Sequence, residues 1–204
     1  MFYEAKANLH GLAHDPFKAI VSPRPIGWIG TRGADGSDNL SPYSFFNAIS
    51  DHPKMVMFSS SGRKDTLRNV EETRVFTTSM VGRALGEKMN LSSADAPYGE
   101  SEFKIADLEM AEARMINAPF VAGAHAALEC KVTEIFEAKG LDGELSGSFV
   151  VIGQVVGIHI DEAALVNSRL DMAAVAPLAR LGCLDYADAG NTFEMRRPAW
   201  PVET

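Results

Sequence analysis

The sequence predicts a mainly β fold, an antiparallel barrel with short helical additions. About six short strand-like segments, most of them bounded by Gly or Pro, are spread along the chain. The longest β-rich run, from Ser148 to Ile160, contains Gly153 and Gly157, which suit the bends that a small barrel needs to close. No stretch shows the alternation of strands and helices that indicates a parallel sheet.

The first predicted strands follow one another closely. Pro25 to Thr31 is short and apolar, and residues 32–38 form a polar turn segment containing an Asp-Gly pair. Asn39 to Ala48 predicts the second strand of a hairpin, and Met55 to Ser59 a further strand. Pro42 lacks a backbone N–H, so we expect a local departure from regular strand pairing there.

A change of period predicts a helix after the third strand. Asp65 can cap it by accepting hydrogen bonds from the following amides, and Leu67 and Val70 share one face. Arg74 would lie near its C-terminal end, where a cation suits the helix dipole. The remaining predictions are a strand at 75–80, a helix at 82–90, a polar loop at 92–102, a strand at 126–136, a turn at 142–143, a helix at 173–181 ended by Gly182, and an extended tail from Arg196.

The composition predicts a single domain spanning residues 1–204, with a core at about 18–188. Lys plus Arg is 19 and Asp plus Glu is 27, and the resulting net charge of −8 argues against non-specific nucleic-acid binding. The N-terminus lacks the basic start and apolar core of a signal peptide, and no apolar run is long enough to cross a bilayer. We therefore expect a cytoplasmic protein with no nucleic-acid or membrane partner.

No set of residues predicts a metal site or a nucleophilic catalyst. Cys130 and Cys183 lack metal-ligand spacing, and Gly11 between His10 and His14 disfavours a metal-binding helix. The GxGxxG, GxSxG and HExxH motifs do not occur in suitable contexts. A reaction carried by a bound cofactor needs few protein groups, so we predict no catalytic side chain and no metal.

One segment has the chemistry of a phosphate site. Ser59, Ser60, Ser61, Lys64 and Thr66 supply hydroxyl donors and a cation at the predicted start of a helix. Helix N-terminal amides and their dipole favour a bound anion, and a lysine adds a charge-assisted hydrogen bond. Arg24, held between two prolines, could reach the same region. The alternative interpretation is a solvent-exposed loop with ordinary helix capping.

A second segment has the chemistry of a site for a flat ring. Asn39, Ser41, Tyr43, Ser44 and Asn47 alternate with apolar and aromatic residues. Amide and hydroxyl groups can satisfy the polar edge of an isoalloxazine, while apolar side chains cover its face. Together with the phosphate segment this favours flavin mononucleotide (FMN). The alternative is a barrel strand with a polar outer face.

Three ordered motifs resemble the flavin reductase-like, FMN-binding split-barrel family, most closely its flavoredoxin-like branch. They are Ser22 to Thr31, Asn39 to Asn47, and Lys64 to Asn69, and Pro177 to Tyr186 resembles the family's C-terminal signature. The resemblance extends in order from about residue 18 to about 198. It implies an antiparallel, Greek-key-like split β-barrel and a homodimer that binds FMN near its interface.

The resemblance also assigns cofactor-binding positions residue by residue. The expected FMN-binding residues are Arg24, Thr31, Asn39, Leu40, Ser41, Pro42, Tyr43, Ser44, Asn47, Ser59, Ser60, Ser61, Lys64, Asp65, Thr66 and Asn69.

The implied activity is that of an oxidoreductase moving electrons from a reduced nicotinamide through FMN to a flavin, metal or protein acceptor. Many reductases of this superfamily carry Gly-Asp-His before the long late strand, whereas this chain has Gly147-Ser148 with Ser148 at the histidine position. This departure leaves a second interpretation open, an FMN-holding electron carrier without its own NAD(P)H substrate. His159 is a candidate substitute near the site, with a structural role as the alternative.

Overall fold

The core of the fold is a seven-stranded antiparallel sheet, seen in a computed structural model that describes residues 1–200. In chain order its strands are β2 (Gly27–Arg32), β3 (Asp38–Tyr43), β4 (Phe46–Asp51), β5 (Lys54–Ser61), β6 (Val75–Met80), β9 (Ala126–Lys139) and β10 (Leu145–Ile160). The order across the sheet is β3-β2-β6-β9-β10-β5-β4, and β3 also contacts β5. The predicted mainly β, antiparallel split-barrel class is confirmed.

Three small sheets and five short helices surround this sheet. The remaining strands are β1 (Arg24–Pro25), β7 (Met110–Glu112), β8 (Pro119–Val121), β11 (Leu165–Val166), β12 (Arg169–Leu170), β13 (Leu178–Arg180) and β14 (Tyr186–Asp188). The helices are α1 (Phe17–Ile20), α2 (Asp65–Thr73), α3 (Gly86–Leu91), α4 (Glu102–Ile105) and α5 (Met172–Val175), with 3-10 turns at Arg83–Leu85 and Glu162–Ala164.

The long strand β10 bends at its glycines, as predicted. Its pairing with β9 shifts register between Ile152 and Gly153 and again between Val155 and Gly157. A Cβ at Gly153 would lie 2.5 Å from the Phe76 ring, so only glycine allows that ring to pack under the strand. The bends curve the sheet around its apolar side.

The barrel interior is a cluster of buried apolar side chains. Phe58 and Phe76 pack edge to face with ring centroids 5.3 Å apart, an arrangement that aromatic quadrupoles favour. Helix α2 closes the cluster with Leu67 and Val70, the face predicted from their spacing. Each such side chain contributes roughly 1.5–3 kcal/mol through burial, which fixes α2 against the sheet.

Several local predictions are wrong. The segment from Asn39 to Ala48 is two strands, because the chain leaves the sheet at Ser44 and Phe45. Pro42 pairs with Trp28 in regular register, so it causes no irregularity. The predicted helix at 173–181 is the short α5 followed by β13, because Ala176 adopts a left-handed φ of 44° just before Pro177.

The C-terminal tail from Arg196 was predicted to be extended. Residues 196–199 have no regular secondary structure, and the end of the predicted extended tail, residues 201–204, lies outside the described residues. Within residues 1–200, no helix is long and apolar enough to cross a membrane.

Candidate functional site

Two adjoining cavities lie between the end of β3, the end of β5 and the start of α2. The serine cavity, of about 250 Å³, is lined by Lys18, Ser41, Pro42, Tyr43, Ser44, Phe45, Ser59, Ser60, Ser61, Lys64 and Ser93. The acidic cavity, of about 160 Å³, is lined by Asn39, Ser41, Lys64, Asp65, Thr66, Ser93, Ala94, Asp95, Ala96 and Glu102. Both share Ser41, Lys64 and Ser93, so the structure brings the two predicted segments together at one place.

The position of β3 at the sheet edge explains why its residues face open space. It pairs only with β2, so the N–H groups on its other edge need partners elsewhere. The Leu40 N–H on that edge donates to Glu102 Oε2 over 2.9 Å. Pro42 points the same way by the two-residue period and has no N–H to satisfy, which is why proline fits here.

A buried polar network fixes β2, β3 and α2 relative to one another. Asn39 Nδ2 donates to Thr66 Oγ1 over 2.8 Å, and Asn69 Nδ2 donates to Thr31 Oγ1 over 3.0 Å. Asn39 Nδ2 also lies 3.5 Å from Thr31 Oγ1. Thr31 and Asn69 line neither cavity, so the structure gives them the role of holding Asn39 and Thr66 in place.

Lys64 is the cation common to both cavities. Its ammonium lies 2.8 Å from Asp95 Oδ1, and that hydrogen bond is the main cause of its raised pKa. The pair is exposed, with 60% and 87% of the two side chains accessible. Exposed pairs contribute roughly 0–1 kcal/mol, so the ammonium remains available to another anion.

The N-terminus of α2 has no side-chain cap. Lys64 occupies the N-cap position, and no side chain accepts a hydrogen bond from the first turn. Asp65 was predicted as the cap, but it is already helical, and its carboxylate lies 3.5 Å from Arg68. The first amides of the helix therefore stay open beside the acidic cavity, which Asp65 and Thr66 line.

Tyr43 places a buried hydroxyl beside the serine cavity. Its ring packs on Phe58 with centroids 4.8 Å apart, and its hydroxyl makes no hydrogen bond within the described residues. Thr66, Ser60 and Ser41 lie close to it but outside bonding geometry, and burial raises the pKa of Tyr43 despite them. A buried hydroxyl without a partner is uncommon and suits a missing hydrogen-bonding group.

Four polar or charged lining residues were not predicted from the sequence. Ser93, Asp95 and Glu102 come from the polar segment predicted as a loop, and Lys18 comes from α1. Burial raises the pKa of Glu102, although the Leu40 N–H opposes that effect. The polar composition of residues 92–102 predicted a loop, but composition alone does not predict which part of the protein a loop contacts.

Three predicted ligands have other roles. Arg24 is buried and donates to the carbonyls of Lys18, Val21 and Leu181, so its guanidinium binds backbone. Asn47 is exposed on β4 and accepts from the Ala48 N–H. The Leu40 side chain is fully buried, and only its backbone contributes to the site.

Ser148, at the histidine position of the Gly-Asp-His motif, and His159, the candidate substitute, lie in different places. Ser148 pairs directly with Ser61 across β10 and β5, so it stands beside the serine cavity. His159 Nε2 lies 2.5 Å from Glu129 Oε1, and its ring stacks on Phe120 at 4.5 Å. Glu129 is fully buried and also accepts from the N–H groups of Arg114 and Met115. His159 therefore has a structural partner.

Comparisons with known proteins agree with this architecture. The family profile described as flavin reductase like domain matches residues 21–176, and the chain belongs to this family. An uncharacterized protein of Deinococcus radiodurans is 34% identical over 88% of this chain and 82% of its own length. Uncharacterized protein YwrF of Bacillus subtilis is 30% identical over 92% and 95%.

Solved structures share the fold. Nitrilotriacetate monooxygenase component B from Bacillus cereus is 27% identical with a TM-score of 0.84, over 96% of this chain and 98% of that one. The flavoredoxin of Desulfovibrio vulgaris is 22% identical with a TM-score of 0.74, over 86% of this chain and 91% of that one.

Within residues 1–200 no group of three potential metal ligands occurs.

Proposed function

We propose that this protein binds FMN in the serine cavity and acts as a flavin-dependent oxidoreductase. One observation carries the proposal: hydroxyl groups, an aromatic wall and a lysine meet at an uncapped helix start. The family membership and the flavoredoxin-like fold support the same cofactor.

The phosphate end fits Lys64 and the serines. Lys64 and Lys18 line the serine cavity and no carboxylate of residues 1–200 does, whereas Asp65, Asp95 and Glu102 all line the acidic cavity. A phosphate dianion would therefore be held on the serine side, by the Lys64 ammonium and the hydroxyls of Ser59 and Ser61. The carboxylates of the acidic cavity suit hydroxyl groups, which can donate to them.

The ring end fits the break between β3 and β4. Ser41 and Ser44 offer hydroxyls, Phe45 offers an aromatic surface that is 40% exposed, and Tyr43 offers an unpartnered hydroxyl. Bound FMN would supply the two-electron redox chemistry. The contribution of the chain is to orient the ring, to exclude water from its face, and to place donors where negative charge develops.

Titration of FMN fluorescence with the purified protein tests the proposal. We expect quenching at micromolar protein, because the stacked ring loses its solvent environment. Unchanged FMN fluorescence, together with colourless purified protein, would rule out the cofactor assignment.

The electron donor is a separate part of the proposal. A reduced nicotinamide is our preferred donor, and a flavin, metal or protein is the acceptor. Anaerobic stopped-flow mixing of the FMN-loaded protein with NADH and with NADPH should bleach the flavin band within seconds. Loaded protein that is not bleached would instead support the electron-carrier function, which the serine at position 148 favours.

We also infer a homodimer, on the basis of the resemblance and of exposed apolar side chains on β10. Ile158 is 52% exposed and Ile160 is 48% exposed. Light scattering after gel filtration should give twice the chain mass of 22.0 kDa. A mass of one chain at micromolar concentration would contradict the inference.

A further inference from the structure

A third cavity, of about 570 Å³, lies between α3 and the C-terminal strands β13 and β14. We call it the arginine cavity, because Arg83 and Arg180 both line it, together with Tyr186 and Leu184. It shares no lining residue with the serine or the acidic cavity. The proposed FMN site makes no use of it, and of the occupants considered below only the dinucleotide rests on the nicotinamide donor proposed above.

The cations of this cavity lack acidic partners. Within residues 1–200, neither Arg83 nor Arg180 has a carboxylate oxygen within 4 Å, although Glu87 also lines the cavity. Two unpaired guanidinium groups in one cavity therefore leave a local positive site.

A third arginine lies next to Arg180. Arg24 and Arg180 are opposite each other across the β1–β13 pair, and like charges in that relation are destabilising. Arg24 is satisfied by backbone carbonyls, and its pKa is lowered by burial and by Arg180. An anion bound to Arg180 would relieve this repulsion.

Arg180 and Tyr186 together form a flat surface in the arginine cavity. The Arg180 guanidinium lies 4.4 Å from the Tyr186 ring centroid and donates to the Cys183 carbonyl, so its plane is fixed. Arg180 and Tyr186 are direct partners across β13 and β14. Leu184 beside them is 84% exposed, so its side chain is accessible to a ligand in the cavity.

We propose that the arginine cavity binds a flat aromatic ring that carries an anionic group. Arg180 and Arg83 would bind the anion through paired N–H donors, while Leu184 and Tyr186 would contact the ring. Two sources have this chemistry, an aromatic carboxylate and the adenylate part of a nicotinamide dinucleotide.

Calorimetric titration of the full FMN-treated protein tests the proposal with benzoate, adenosine 5′-monophosphate and the neutral isostere benzamide. We expect benzoate, adenosine monophosphate or both to bind, and benzamide to bind at least tenfold more weakly. Binding of benzoate alone would identify the carboxylate source, and binding of the nucleotide alone the dinucleotide source. Absence of binding by both anions, or equal binding of benzamide, would overturn the proposal.

Substitutions locate the ligand. Arg180→Gln should weaken anion binding at least tenfold and leave FMN affinity unchanged, whereas the exposed Arg169→Gln, outside the cavity, should change neither. If Arg180→Gln fails to fold, Arg83→Gln on its exposed turn provides the same comparison. Anion binding that survives in both arginine variants would refute the site, and a parallel loss of FMN affinity would mean that the anion occupies the flavin site instead.

Discussion

The Lys64 side chain forms an ion pair with Asp95 and can still bind a second anion. Its contact with Asp95 is an exposed ion pair of roughly 0–1 kcal/mol, whereas a hydrogen bond to a charged group in a partly desolvated site contributes roughly 1.5–3 kcal/mol. A phosphate in the serine cavity would therefore displace the Asp95 carboxylate as the partner of the Lys64 ammonium.

This difference gives the first prediction. Lys64→Ala should weaken FMN binding by about 1–3 kcal/mol, measured by fluorescence titration. Lys54→Ala is the matched control, because Lys54 also lies 2.8 Å from an aspartate, Asp51, but lines neither cavity. Equal FMN affinity in the Lys64 variant and the wild type would show that the phosphate assignment is wrong.

The buried network gives the second prediction. Thr31→Val keeps the shape of the side chain but leaves Asn69 Nδ2 without its acceptor, and an unsatisfied buried donor costs about 1–3 kcal/mol. Urea unfolding should show this loss of stability. Thr133→Val, which removes an exposed hydroxyl, should stay within about 0.5 kcal/mol of the wild type, and a similar effect at both threonines would refute the argument.

The polar loop from Ser92 to Ser101 is the element that joins the two cavities. It contributes Ser93 to both and Asp95 to one, and it is tied down where Tyr98 donates to Asp35 and stacks on Arg68. Asp95 thus lies opposite the cation that the proposed ligand needs.

Asp95→Asn should therefore tighten FMN binding severalfold at low ionic strength, and added salt should reduce the difference. Removing the carboxylate frees Lys64 and lowers the repulsion toward a phosphate. Asp51→Asn, which breaks the equivalent pair with Lys54, should have no effect on FMN affinity. Weaker binding by the Asp95 variant would instead show that the carboxylate accepts a hydrogen bond from the ligand.

Local periodicity predicted β2, β5, β6 and α2 well, because their apolar faces are buried in the core they form. Local periodicity failed where contacts between residues far apart in sequence determine the structure. Glu102 reaches the site only because α4 packs on the edge of β3, and no local pattern encodes that contact. The carbonyl partners of Arg24 could not be predicted either, because they include Leu181, far away in sequence.

At the scale of the whole molecule, one buried carboxylate joins the long β9–β10 pair to the segment before β8. Glu129 accepts from the N–H groups of Arg114 and Met115 and contacts His159. Burial acts to raise the pKa of Glu129, but these three contacts outweigh it, so the pKa lies below the ordinary 4.5.

A lowered folded-state pKa means that the charged Glu129 stabilises the fold above pH 4.5 and that this contribution is lost as the pH falls through the folded value. Glu129→Gln should therefore be less stable than the wild type at neutral pH, with the difference shrinking in acid. Urea unfolding at neutral and acidic pH measures this difference in the free energy of unfolding. Glu134→Gln, at an exposed position on the same strand, is the control. A pH-independent difference would contradict the charge-based explanation.

The free edge of β3 has a consequence for how these molecules behave together. An uncovered strand ordinarily presents a continuous row of donors that can recruit a strand from another chain and start aggregation. Here the Leu40 N–H already donates a hydrogen bond to Glu102. Pro42, the next residue on that edge, has no backbone N–H. The strand that lines the serine cavity can therefore remain open to a small ligand without serving as a template for unwanted sheet growth.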